Sequence, residues 1–69
     1  MKTNYDELLP KAILYSLRTV EEIGLIKVDM MKKLIAKREL EIIKIGNKIH
    51  ISRIELIRYL EKNTIEATN

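Results

Sequence analysis

Eight of the thirteen basic side chains in this 69-residue chain fall within residues 27–53: Lys27, Lys32, Lys33, Lys37, Arg38, Lys44, Lys48 and Arg53. Only Asp29, Glu39 and Glu41 oppose them there. That stretch therefore carries +5, while residues 1–26 and 54–69 carry −1 each. Cationic groups gathered in this way suit the neutralisation of a polyanion. Bond-making chemistry has far less to work with. There is no cysteine, which removes thiol nucleophiles, thiolate zinc sites and disulfides. His50 is the sole histidine. Asp6 with Glu7, and Glu21 with Glu22, are sequence neighbours, and neighbours on a helix point about 100° apart, so neither pair forms an acid–base dyad. Gly24 and Gly46 are the only glycines, so no glycine-rich phosphate loop exists. The expectation is a binding protein and not an enzyme, with no metal, no cofactor and no small-molecule substrate.

Those cations need a scaffold, and the scaffold must be small. A chain of this length makes one domain and buries only about 60% of its unfolded surface. The apolar residues are mostly aliphatic, with 12 Ile and 9 Leu against 3 Tyr and neither Phe nor Trp. At 46% hydrophobic the chain can build one core and is not wholly disordered. The uncharged stretch 12–17 is far short of the roughly 20 apolar residues of a membrane span. No apolar segment of the signal-peptide kind follows Lys2, so a cytoplasmic location without a membrane partner is expected.

Periodicity and capping residues predict the elements. A helix over 10–23 has Pro10 in its first turn, an apolar stripe of Ile13, Leu17 and Val20 with Ile23 at its edge, and Gly24 at its C-cap. A shorter alternative starts at Thr19, whose spacing to Glu22 fits a capping box. The longer helix is preferred because the stripe runs through Thr19. Asp29 is the expected N-cap of a second helix, 29–39 with its cap. Met31, Leu34 and Ile35 lie on its inner face, and Lys32, Lys33, Ala36 and Lys37 on its outer face. Met30 and Arg38 fall at the margins. Alternating residues around Gly46-Asn47 predict a β-hairpin over 42–51. Pairing Ile45 with Ile49 would bury Ile43, Ile45, Ile49 and Ile51 on one face and leave Lys44 and His50 on the other. Ser52 and Glu55 have capping-box spacing ahead of a last helix, 53–62, with Ile54, Ile57 and Leu60 as its core stripe and Leu56 alongside. Asn63 is its expected stop. Residues 1–9 form an N-terminal segment, 10–63 the domain, and 64–69 a frayed tail.

The order helix, helix, β-hairpin, helix is α+β, mostly helical, and fits a small winged helix-turn-helix. In that arrangement the second helix enters a major groove and the hairpin lies beside it as a wing. Lys32, Lys33 and Lys37 then meet phosphates or base edges, and Asn47 and Lys48 are the wing contacts.

Residues 33–62, KLIAKRELEIIKIGNKIHISRIELIRYLEK, resemble excisionase-type, MerR-like winged-helix DNA-binding domains. The more specific part is the Lys44-Ile45-Gly46 hairpin followed by Ile51-Ser52-Arg53. The resemblance implies double-stranded DNA as partner. It also implies contacts from the start of the second helix (Lys27, Val28, Asp29, Lys32, Lys33) and from Asn47 and Lys48. The role it implies is either transcription regulation or recombination directionality in a mobile element. Two departures stand out. Arg38 occupies the place of the family's turn glycine, so that junction is expected not to need a left-handed residue. Gly24 follows Thr19-Val20-Glu21-Glu22 about three residues sooner than in the family.

Three readings compete: a duplex DNA binder, acting as a homodimer or cooperative oligomer; a winged-helix protein-interaction adaptor; and a small RNA-binding domain. The scarcity of aromatic side chains for base stacking weighs against the last.

Overall fold

The computed structural model describes residues 3–65. It is a small α+β domain with four helices and one three-stranded antiparallel sheet. The order is α1 (Tyr5–Leu8), β1 (Leu14–Ser16), α2 (Leu17–Glu22), α3 (Val28–Ala36), β2 (Ile43–Ile45), β3 (Lys48–Ser52) and α4 (Arg53–Asn63). The strands lie in the order β1-β3-β2. The tail expected at 64–69 lies outside the described residues from 66 onward.

The helix expected over 10–23 does not form as one piece. Residues 14–16 are a strand instead, with Tyr15 opposite Ile51 on β3. Pro10 is not in a helix; its carbonyl accepts from the Tyr15 hydroxyl and, at 3.3 Å, from Arg53 Nε. Ile13, expected inside, is 85% exposed, whereas Val20 is fully buried and Leu17 packs against the core. The apolar spacing was genuine only from Leu17 onward. A three-residue strand and one helical turn leave similar traces in so short a window, and pairing with β3 decides between them. The start of α2 is capped by Ser16, whose Oγ accepts from Thr19 N at 3.1 Å, and not by Thr19.

Helices α2 and α3 end in the same way. Gly24 N donates to Glu21 O and Leu25 N to Val20 O, the paired bonds of a Schellman cap, with Gly24 at φ +82°. At the end of α3, Arg38 N donates to Ile35 O and Glu39 N to Leu34 O, with Arg38 at φ +60°. The left-handed residue expected to be dispensable at this junction is therefore present. The cap geometry demands a positive φ whichever side chain occupies the position.

The hairpin turns through Gly46 and Asn47, as the sequence predicts, with Gly46 at φ +60°, the glycine-first requirement of a type II′ turn. Its register differs from the expected one. Ile45 pairs with Lys48, Lys44 with Ile49 and Ile43 with His50. Side chains alternate across a strand, so Lys44, Ile49, Ile51 and Tyr15 share one face, and Ile43, Ile45, Lys48 and His50 share the other. Ile51 is fully buried, while Ile43 and Ile45 are 37% and 54% exposed. A two-residue loop matches strand twist, and it moves the pairing by one residue from the expected Ile45–Ile49 match.

Ser52 caps α4 as expected, its Oγ accepting from Glu55 N at 3.0 Å. The inner face of α4 is rotated from the expected stripe. Ile54 is 80% exposed, Leu56 is fully buried, and Glu55 is buried as well. The core gathers Leu9, Tyr15, Val20, Met31, Leu34, Leu40, Ile51 and Leu56, one or two residues from each part of the chain. Leu9 belongs to it because residues 5–10 pack along α4. Tyr5 hydrogen-bonds Thr64, and Arg53 binds both Asp6 Oδ1 and the carbonyls of Asp6, Leu9 and Pro10.

Candidate functional site

The sequence of α3 makes it two-sided. Met31 and Leu34 are fully or nearly fully buried, and Val28 and Ile35 pack on the core margin. Lys32 and Lys33 project from the opposite side and are exposed. Lys27 is the N-cap residue and Lys37 the C-cap residue, so lysines flank both ends of the helix, which is about 13 Å long. Both are exposed. Asp29, expected as the N-cap, instead sits in the first turn, because α3 begins at Val28. A carboxylate there still favours the positive end of the helix dipole. Met30 is 51% exposed on the rim.

Asn47 in the turn and Lys48 at the start of β3 are also exposed. They belong to a second element, separate from the α3 group. Among the described residues, the side chains of Lys27, Asp29, Lys32, Lys33, Lys37, Asn47 and Lys48 enter no ion pair. The ion pairs present are Arg18–Glu22, Arg53–Asp6 and Arg58–Glu55. The cations of α3 and the hairpin are therefore free for an outside anion.

The junction between these two elements is held by a group that sequence reasoning missed as a buried one. The Glu55 carboxylate accepts from Arg58 Nε at 2.6 Å and Nη2 at 2.7 Å, and from the backbone N–H of Glu41 at 2.8 Å. Arg58 also donates to the Glu39 carbonyl at 3.3 Å. This network ties the link after α3 to α4. The Arg58 guanidinium, helped by the Glu41 amide, holds the Glu55 carboxyl below its ordinary value despite burial. The capping-box spacing marked Glu55. It gave no sign that the carboxylate would turn away from Ser52 toward Glu41 and Arg58.

A depression of about 450 Å³ is lined by Ile35, Leu40, Ile42, Glu55, Arg58 and their neighbours. Two of its charged side chains, Glu55 and Arg58, are already paired with each other. Among the described residues no cluster of three or more His, Asp or Glu could hold a metal ion, and no helix is long and apolar enough to cross a membrane. His50 lies on the outer sheet face between Ser16 and Ile43, and its buried Nδ1 has no partner among the described residues.

Comparison of this chain with family models, with curated proteins and with solved structures found no match in any of the three.

Proposed function

We propose that this chain is a winged helix-turn-helix that binds double-stranded DNA, with α3 in the major groove and the β2–β3 hairpin as the wing. The observation that carries the reading is the two-sidedness of α3. Met31 and Leu34 anchor its back, while Lys32 and Lys33, flanked by Lys27 and Lys37, stand exposed and without ion-pair partners among the described residues. The +5 balance of residues 27–53 supports it, as does a turn whose exposed Asn47 and Lys48 can meet the adjacent backbone. The resemblance of residues 33–62 to excisionase-type and MerR-like domains favours a small regulator or a recombination directionality factor. A single module of this kind buries only about 600–1,000 Å² on DNA, so two copies per site are expected.

The test is a salt titration of duplex binding with the Lys32→Ala, Lys33→Ala double variant alongside. Exposed substitutions of this kind cost little stability, within about 0.5 kcal/mol. Affinity for duplex should fall at least about tenfold, or roughly 1.4 kcal/mol, with the fold unchanged. Unchanged affinity in a folded variant would remove α3 from the interface.

A second reading has one observation in its favour. Ile43 and Ile45 stand exposed on the outer face of β2, an edge strand. An adaptor could use that edge to add a partner's strand. It would show no duplex binding at about 50 mM salt, where a phosphate-neutralising protein binds well.

A further inference from the structure

The first amide of α3 is already occupied. Glu21, in the last turn of α2, reaches across the 24–27 turn and its Oε1 accepts from the backbone N–H of Val28 at 2.9 Å. The Lys27 side chain makes no capping bond, so this carboxylate is the side-chain acceptor that closes the end of α3. Asp29 adds a second carboxylate in the same turn. The opposite end of α3 carries Lys33 in its last turn, followed by Lys37 and Arg38. The helix thus has one carboxylate bound at its first amide and a second in its first turn, and a cation-rich C-terminal half. An open helix N-terminus would be a ready phosphate-binding site. Here a phosphate arriving at Val28 N–H would have to displace Glu21 and approach two negative charges.

We propose that Glu21 is a positioning residue that reserves the Val28 amide at the start of α3 for a protein carboxylate, so that a duplex meets α3 through its lysine side chains and not through that amide. The inference rests on the DNA-binding reading and sharpens it. Glu21 bridges α2 and α3, and so sets the angle at which the lysine face is presented. It also keeps one sequence-independent phosphate contact from forming.

Two variants and two probes test this. Glu21→Ala opens the amide, while Glu21→Gln retains an acceptor for Val28 N–H and removes the charge. The first probe is a random-sequence duplex, with affinity measured across salt concentrations. Glu21→Ala should bind it more tightly, with a salt slope steeper by about 0.9, the signature of one added phosphate contact. Glu21→Gln should keep the wild-type slope. The second probe is inorganic phosphate, followed at the Val28 amide by NMR. That amide should shift on phosphate addition only in Glu21→Ala, and its hydrogen exchange should stay slow in wild type and Glu21→Gln. A folded Glu21→Ala protein with the wild-type salt slope and a Val28 amide indifferent to phosphate would overturn the proposal. So would fast exchange at Val28 in wild type, a result that needs no variant to fold. If the wild-type chain binds no duplex at low salt, the DNA reading fails by itself. The phosphate and exchange measurements then still decide whether Glu21 guards the amide.

Discussion

Two side chains carry constraints out of proportion to their size. Arg38 holds a left-handed backbone at φ +60° that closes the cap of α3. A residue with a Cβ pays roughly 1–2 kcal/mol for that conformation, and glycine returns part of the gain through unfolded-state entropy, roughly 0.5–1 kcal/mol. Arg38→Gly should therefore stabilise the fold by about 0.5–1 kcal/mol in denaturant titration, and Arg38→Ala should not. Because Arg38 also belongs to the cationic segment, both variants should weaken duplex binding under the proposed function. Stability and affinity would then move in opposite directions for the glycine variant. Glu55 is the second such residue. Its carboxyl titrates below the ordinary value of 4.5, chiefly because of the Arg58 guanidinium and next the Glu41 amide, against the opposing effect of burial. A carboxyl depressed in the folded state binds fewer protons there than in the unfolded chain. Its contribution to stability is complete above about pH 4.5 and is lost as pH falls through the folded value. Melting temperature followed from neutral to acid pH should show that loss in wild type, and Glu55→Gln should flatten it.

At the scale of elements, the hairpin register has the largest consequences. The observed pairing puts Ile51 and Ile45 on opposite faces. Ile51 is fully buried and packs in the core with Tyr15, Leu56 and Met31. Ile51→Ala should cost about 2–5 kcal/mol through lost burial and a residual cavity. Ile45→Ala, at a half-exposed position, should cost about 0.5 kcal/mol or less. Comparable losses at both positions in thermal unfolding would instead favour the pairing of Ile45 with Ile49. The same alternation explains how an edge strand with two exposed isoleucines stays tractable. Lys44 lies between them in sequence and on the other face of the strand, and lysines on edge strands discourage pairing with another chain.

For the molecule as a whole, the sheet is completed by chain segments far apart in sequence, and residues 5–10 pack along α4. Arg53 fastens residues 6–10 to the first turn of α4, and Tyr5 meets Thr64. Lys48 tests how α3 and the hairpin share the work under the proposed function. It makes no contact needed for the core, so Lys48→Ala should fold normally. It should weaken cognate and random duplexes about equally, since phosphate contacts position without specifying sequence. The magnitude of the salt slope should drop by about one. A loss confined to the cognate duplex would show that the hairpin reads bases.

The features legible in the sequence are those that neighbouring residues settle among themselves. The inward phase of Met31 and Leu34 and the outward phase of Lys32 and Lys33 follow from helical spacing. The cap by Ser52 and the turn at Gly46-Asn47 follow from local hydrogen bonding and from glycine's access to positive φ. Lys27, Asp29, Lys32, Lys33, Lys37, Asn47 and Lys48 are all exposed, whereas Val28, also expected to make contacts at the start of α3, is half-buried against the core. What only the tertiary structure decided depends on partners distant along the chain. Residues 14–16 became a strand because β3 had an edge to pair. Ile54 turned outward because α4 presents Leu56 to the core and Glu55 to the Glu41 amide. Glu21 became the cap of α3 because the tight turn after Gly24 brought it to Val28. Each is a choice between locally equivalent arrangements. Burial and hydrogen bonding across the molecule, not spacing within a segment, separate their energies.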